Sequence, residues 1–243
     1  MRKRGAKFVT SVSRCRAASI LGALLAALLL SACDLFAPLT DESYRFRMTV
    51  EVDTPEGLRT GSSVYEVTAG NRTALLPDMA DRHKSLRGEA VAVDLPGGRT
   101  LFALLKTDNA FRTDLGHISM AALDPAYNND WVESADRISS GDGIVSPAEV
   151  EPEDYPILVT FGDMRNPSTV QRVDAADLAK AFGDGVNLTR VMVETTRDPI
   201  TTGIGRRLKW LPRVYELLRG SEFNSQVMPN VEVISIFSTE LNE

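Results

Sequence analysis

An acidic stretch in the middle of the chain holds the side chains best suited to binding a metal ion. Residues 124–154 contain nine carboxylates and one basic side chain, Arg137. Within this stretch, ISSGDGIVSPAE at 138–149 aligns with the calcium-binding loop of an EF-hand and places oxygen ligands at Ser140, Asp142 and Glu149. Calcium prefers several hard oxygen ligands with a late bidentate glutamate, and Gly143 would permit the required turn. This segment is therefore the candidate calcium site of a chain for which the sequence otherwise predicts no cofactor.

The same residues also fit a purely structural role. Ile138 occupies the first ligand position of the loop, where an apolar side chain cannot bind calcium. Ser146-Pro147-Ala148-Glu149 has the spacing of a helix capping box with proline at the first helical position. Gly141-Asp142-Gly143 is typical of a turn. A turn followed by a short helix is the favoured prediction for this segment, and calcium binding is the alternative.

Acid–base chemistry has one weak candidate, His117. It is one of two histidines in the chain, and it lies three residues after Asp114 and two before Ser119. A carboxylate, an imidazole and a hydroxyl are the groups of a hydrolase triad. However, the chain has neither a G-x-S-x-G nor an H-E-x-x-H motif. The sequence therefore favours a protein without catalytic activity over an envelope hydrolase.

A basic segment near the C-terminus is a candidate interface. It contains four cationic side chains and a tryptophan, namely Arg206, Arg207, Lys209, Trp210 and Arg213. Tryptophan and cationic side chains occur together at membrane headgroups, and cationic side chains also pair with acidic protein surfaces. We expect this segment either to contact such a surface or to form the solvated face of a packed helix.

The N-terminal part of the chain has the features of an export signal. Basic residues at positions 2, 3, 4, 7, 14 and 16 precede an apolar run at 17–30, and the first acidic residue is Asp34. The apolar run has about fourteen residues, which is shorter than the roughly 20 residues that a membrane-spanning helix needs. The pattern predicts a secretory signal peptide that is absent from the mature protein.

The sequence Leu30-Ser31-Ala32-Cys33 follows this run and resembles the lipobox of bacterial lipoproteins. In that family the cysteine thiol is joined to diacylglycerol, and the signal is cleaved just before the cysteine. The resemblance implies a signal peptide at 1–32, a lipid anchor on Cys33 and a tether at 33–42. It also implies a protein on the periplasmic face of a cell membrane. Asp34 resembles an enterobacterial sorting signal that favours the inner over the outer membrane.

Removal of the signal would leave an acidic protein. Six of the 27 Lys and Arg residues precede Cys33, whereas all 33 Asp and Glu residues follow it, which gives a net charge near −12. An acidic body argues against nucleic-acid binding, which needs cationic side chains for the phosphates. Cys15 lies in the removed segment and Cys33 is consumed by the lipid, so no disulfide is expected. We expect membrane association through the anchor and action through a protein partner.

Apolar patterning predicts that residues 43–243 form a single α+β domain. Alternating or continuous apolar runs predict strands at 44–52, 60–68, 88–95, 99–105, 156–162, 186–195 and 230–238. Turn chemistry at 53–57 and at Pro96-Gly97-Gly98 joins the first four strands into two antiparallel hairpins. These hairpins and the later strands form one or two sheets.

One or two helices are expected to pack against the strands. Asp174 is a good N-cap and Gly183 a good helix end, and the intervening helix would pack through Leu178 and Phe182. Residues 203–219 have apolar side chains at helical spacing, and Pro212 is expected to kink or split this second helix.

Beyond the signal, the chain resembles only proteobacterial envelope proteins of uncharacterised function. The resemblance lies in stretches such as VEVDTPEGLRTGSS and GEAVAVDLPGGRTLFALL, and it implies no activity. Together with the anchor it favours a non-catalytic envelope protein that binds a protein partner. A ligand-binding or calcium-binding module is the first alternative, and an envelope hydrolase is the second.

Overall fold

The computed structural model describes residues 41–72, 81–219 and 231–239. The signal sequence, Cys33 and Asp34 lie outside the described residues. The chain separates into two units, Met1–Thr40 and Asp41–Glu243, and every described residue belongs to the second unit. That unit combines helices with two antiparallel sheets, which confirms the predicted α+β class.

The first sheet consists of β1 (Glu42–Asp53), β2 (Arg59–Arg72), β3 (Asp81–Arg87), β6 (Ala148–Glu149) and β9 (Asn187–Thr195). The strand order is β3-β2-β1-β9-β6, so β1 pairs with both β2 and β9. Strand alternation directs every second side chain of β1 into the core, which buries Tyr44, Phe46, Met48, Val50 and Val52. The predicted strands at 44–52, 60–68 and 186–195 are confirmed.

The second sheet consists of β4 (Val91–Leu95), β5 (Arg99–Thr107), β7 (Pro156–Phe161) and β8 (Val170–Val173), in the order β4-β5-β7-β8. The two sheets meet where β2 passes β4. A side chain at Gly61 would bring its Cβ within 2.2 Å of the Ala92 carbonyl oxygen, so this approach requires glycine. Ser63 also donates a hydrogen bond of 3.3 Å to the Ala90 carbonyl.

Two helices follow β5 in places where the sequence predicted none. They are α1 (Leu115–Leu123) and α2 (Trp131–Ser140), and both contact strands of the first sheet. Asp114 caps α1 by accepting a hydrogen bond from the His117 amide, and Asp130 caps α2 in the same way. The caps are visible in the sequence as aspartates, but each helix is short, with 9 and 10 residues, and the apolar positions of α1 are too evenly spread to mark one helical face.

The helix expected after Asp174 is reduced to a single turn, α3 (Ala179–Phe182). Asp174 accepts a hydrogen bond from the Ala176 amide at 2.9 Å and forms a turn, so its assignment as the helix N-cap is wrong. Asp177 instead accepts from the Lys180 amide at 3.2 Å. Gly183 ends the helix with a φ of 98°, as predicted.

The helical segment at 203–219 is split, as predicted from Pro212. Its parts are α4 (Ile204–Arg207) and α5 (Leu211–Arg219), with the proline in the first turn of α5, where an amide hydrogen is not needed. No helix in the described parts of the chain is both long enough and apolar enough to cross a membrane.

The strand expected at 230–238 is wrong. Residues Val231–Ile234 form helix α6, and Ser238 makes only an isolated bridge with Glu89. The buried Tyr215 hydroxyl donates to the Ile234 carbonyl at 3.3 Å and accepts from the Ser238 amide at 3.0 Å. A buried hydroxyl needs such partners, and the helical turn supplies them.

An aromatic cluster connects this C-terminal segment to the second sheet. The Phe102 ring lies edge-on to Phe161 and Phe237, with ring centroids 5.7 and 5.5 Å apart, and Phe161 contacts Trp210 in the same geometry. Edge-on contacts place the positive rim of one ring against the negative face of another. The cluster therefore orients the basic segment against the domain.

Candidate functional site

The three predicted calcium ligands lie on different local structures. Ser140 ends α2 and its hydroxyl donates to the Arg137 carbonyl at 3.1 Å. Asp142 is exposed in the turn that follows, and Glu149 is exposed in β6. Across the described residues, no group of three or more His, Cys, Asp or Glu side chains is arranged to hold a metal ion. Calcium binding stays a prediction from the sequence.

The structural interpretation of this segment, a turn followed by a short helix, is half right. Gly141 and Gly143 have φ values of 79° and 66°, so the predicted turn is confirmed. The predicted short helix is wrong, because the residues after Ser146 form strand β6. The Ser146 hydroxyl accepts a hydrogen bond of 2.9 Å from the Thr195 amide at the end of β9 and does not cap a helix.

Asp114 and His117 do come together, and Lys84 of β3 joins them. The Lys84 ammonium donates to the two Asp114 carboxylate oxygens at 2.8 and 2.9 Å and to Nδ1 of His117 at 2.8 Å. All three ammonium hydrogens therefore have acceptors. Lys84 was not anticipated, because the charged sequence of β3 lacks the apolar alternation of a strand.

The electrostatics of this cluster favour an internal ion pair. Burial lowers the pKa of the Lys84 amine, and the negative charge of Asp114 opposes that effect. Burial also acts to raise the pKa of Asp114. The hydrogen bonds to Asp114 and the positive charge of Lys84 outweigh burial and hold this pKa far below its usual value. The Asp114 carboxylate is therefore ionised at neutral pH.

The hydroxyl that a hydrolase would need points away from this cluster. Ser119 is fully buried, and its hydroxyl donates to the Gly116 carbonyl at 2.9 Å and shares a hydrogen bond of 2.8 Å with the Tyr44 hydroxyl. A nucleophile must lie within hydrogen-bond reach of its base. Asp114, Lys84 and His117 instead connect the N-terminus of α1 to β3, which favours a structural role.

The structural role predicts a pH-dependent effect of Asp114→Asn. Asparagine keeps the cap of α1 but removes the charge beside Lys84 and His117, so we expect a loss of about 1–3 kcal/mol in unfolding free energy at neutral pH. The folded pKa is lowered, so the charge stabilises the protein above the unfolded pKa of about 3.9 and loses this effect at lower pH. In urea unfolding, the difference in unfolding free energy between Asp114→Asn and the wild type should become smaller below about pH 4.

The exposed Asp136 on α2 provides the matched control for this experiment. Asp136→Asn removes a carboxylate that has no comparable ion pair and should leave the unfolding free energy unchanged within about 0.5 kcal/mol. A stability difference for Asp114→Asn that stayed constant from neutral pH to pH 3 would contradict the ion-pair interpretation.

The basic segment divides between internal contacts and solvent. The Arg207 guanidinium donates to both carboxylate oxygens of Asp94 at 2.6 and 2.7 Å. Trp210 Nε1 donates to the Met164 carbonyl at 2.8 Å. The four cationic side chains of the segment are all exposed, namely Arg206, Arg207, Lys209 and Arg213. Arg207 and Trp210 are thus engaged by other parts of the domain, and Arg206 donates a hydrogen bond of 3.5 Å to the nearby Thr202 carbonyl.

An open groove of about 680 Å³ lies where β1 begins and β9 ends. It is lined by the first residues of β1, by the C-terminal end of α2 with Ile144, and by the residues that follow β9. Ser140, one of the predicted calcium ligands, is exposed along this groove. The groove itself was not predicted, since it joins segments that are about 150 residues apart in the sequence.

One edge of β1 is open inside this groove. The pairing of β1 with β9 stops at Phe46 and Thr195, and the Thr196 amide then donates to the Arg45 carbonyl at 3.0 Å. Backbone groups of a strand alternate between its two edges, so the N–H and C=O of Ser43 point the same way as those of Arg45. Within the described part of the chain, no hydrogen bond reaches these two groups of Ser43.

A cationic side chain lies beside this open edge. The Arg45 guanidinium is engaged, because it donates to the Glu66 carboxylate at 2.7 Å and to the Asp198 carbonyl at 3.4 Å. Arg197 lines the same groove, is exposed, and has no hydrogen-bond or ion-pair partner among the described residues. The groove therefore combines two unpaired backbone groups with one available positive charge.

A second surface feature is the loop between β5 and α1. The Asp154 carboxylate, which is 4% exposed, accepts a hydrogen bond of 2.7 Å from Asn109 and pairs with the Arg112 guanidinium. Between these two residues, Phe111 is 86% exposed, and its amide donates to the Asn109 side chain at 2.9 Å. An ordered loop thus holds a large apolar ring in water. The sequence pattern did not predict an exposed ring at this position.

Comparison with other proteins identifies no relative. No family model, no curated protein and no solved structure matches the chain. The geometry of the chain itself is therefore the basis for a functional assignment.

Proposed function

We propose that this chain is a lipid-anchored protein of a Gram-negative cell envelope that faces the periplasm and binds a protein partner without catalysis. The lipobox at Cys33 supports the anchor, and Asp34 favours the inner membrane. The open edge of β1 at Ser43 carries the proposal of partner binding. An extended segment of a partner adds to such an edge through main-chain hydrogen bonds, while side-chain pockets give specificity.

The lining of the groove defines the chemistry of the partner segment. Arg197 offers a positive charge to a carboxylate, and Ile144 offers an apolar surface in the same lining. Successive side chains of an added strand point to opposite faces. The proposed ligand is therefore an extended segment that carries an acidic residue next to an apolar one.

A photo-cross-linking amino acid placed at Ser140 in intact cells tests this proposal. The side chain lines the groove, so we expect a covalent adduct with one partner protein that mass spectrometry can identify. Arg197→Glu should lower the yield of this adduct about tenfold, which corresponds to about 1.4 kcal/mol, because it replaces attraction by repulsion.

Asp142 is the matched control position for this cross-link. It is exposed and lies two residues after Ser140, in the turn that follows α2 and outside the lining of the groove. A probe at Asp142 should capture little of the partner. Equal capture from both positions, no adduct from Ser140, or an adduct only with the chain itself would refute partner binding in the groove.

A further inference from the structure

We infer that the loop carrying Phe111 contacts the membrane surface to which the domain is tethered. The inference rests on the proposed lipid anchor at Cys33 and concerns a different surface from the groove. It follows from where the loop lies in the domain, from the length of the tether, and from the chemistry of the loop.

The loop lies at the end of the domain where the chain enters from the tether. Asp41, the first described residue, has its carboxylate 3.1 Å from Nε2 of His83. The next residue, Lys84, binds Asp114 at 2.8 Å, and Asp114 follows Phe111 by three residues. Two direct contacts and short stretches of chain thus connect Phe111 to Asp41, where the tether joins the domain.

The tether is too short to move this end far from the membrane. Eight residue steps separate Cys33 from Asp41, so the lipid-bearing residue lies within about 29 Å of Asp41. Strand β1 alone has 12 residues and spans roughly 37 Å. The far end of β1 leads to the hairpin turn with Leu58. The distance from Asp41 to this turn is therefore longer than the fully extended tether.

The loop has the chemistry of a membrane-contacting tip. The two carboxylates of the loop lie at its ends, where Asp108 pairs with Arg172 and Asp114 pairs with Lys84. Residues 109–113 between them contain no carboxylate, and their one cation, Arg112, is neutralised by Asp154. Transfer of an exposed phenylalanine ring out of water is favourable, and aromatic side chains are common at membrane interfaces. Because hydrogen bonds to Asp154 already order the loop, insertion of the ring costs little additional conformational entropy.

An environment-sensitive fluorophore on Phe111→Cys tests the inference. In the mature lipidated chain no other thiol is free, since the sequence has two cysteines and Cys15 belongs to the signal. The labelled, lipidated protein is reconstituted into vesicles of phosphatidylethanolamine and phosphatidylglycerol. We expect blue-shifted emission that nitroxide-labelled lipids quench several-fold more strongly than they quench the same probe at Leu58→Cys.

Leu58 is a matched control because it is also an exposed apolar residue, at 56%, but lies at the far end of β1. Vesicle flotation is measured first. Protein that does not float refutes the lipid anchor and this inference together. Protein that floats with equal, water-like emission from both probes overturns this inference and leaves the anchor intact. Shielding in native envelope membranes but not in protein-free vesicles also overturns it and assigns the ring to a protein partner.

Discussion

A Cys33→Ala variant is expected to stay full length and to incorporate no palmitate. In the proposed lipoprotein the cysteine thiol is the nucleophile of lipid transfer, and cleavage of the signal follows that step, so both modifications require this residue. The uncleaved variant keeps the apolar run at 17–30, so its membrane association does not report on the lipid. Metabolic labelling with palmitate and intact-mass measurement test the two expectations.

The chain provides its own matched control in Cys15. It is the other cysteine in the sequence and precedes the apolar run of the signal. Cys15→Ala should be cleaved and labelled as the wild type is. Palmitate incorporation by Cys33→Ala, or its loss in Cys15→Ala, would be incompatible with a lipid on Cys33.

Arg137→Met is expected to lower the free energy of unfolding by about 3–5 kcal/mol, because it leaves a buried carboxylate without its main partner. Asp124 is 1% exposed and accepts hydrogen bonds from Arg137 Nη2 at 2.6 Å and Nε at 3.1 Å. Burial acts to raise the pKa of Asp124, but the hydrogen bonds from Arg137 and its neighbours outweigh burial and lower it. Urea unfolding of the mature protein followed by circular dichroism measures the loss.

Glu133→Gln is the control for this variant. Arg137 also pairs with Glu133 at 2.6 Å, but that carboxylate is 57% exposed, so its removal should cost less than about 1 kcal/mol. Combining Arg137→Met with Asp124→Asn should recover part of the loss, since the uncompensated charge is gone. A loss below 1 kcal/mol for Arg137→Met alone would show that the pair contributes little to stability.

The elements that could be predicted from the sequence are those with a short-range cause. The first strand alternates apolar and charged residues over its whole length, and that period places one face in the core whatever its neighbours are. Pro212 fits the first turn of a helix but not its interior, because it lacks an amide hydrogen and its ring clashes with the preceding turn, so the helical segment at 203–219 breaks before it. Gly183 ends its helix with a positive φ for an equally local reason.

The elements that escaped prediction depend on distant partners. Residues 231–238 alternate like a strand, yet the buried hydroxyl of Tyr215 is satisfied by a helical turn there. Strand β3 has no apolar alternation and is held by its pairing with β2 and by the ion pair of Lys84 with Asp114. In both cases burial and pairing outweigh local propensity.

The sequence by itself determined the α+β class, most of the strands and the prediction of a lipid anchor on Cys33, because each depends on the order of neighbouring residues. Only the tertiary structure decided which side chains meet. It brings Lys84 to Asp114. It also ends β9 opposite Phe46, so the first residues of β1 have no β9 partner and the edge at Ser43 is open. It also holds Phe111 in water through the buried Asp154. These features arise from contacts between segments that are distant in the sequence. The packing of the two sheets and their helices sets the geometry of these contacts.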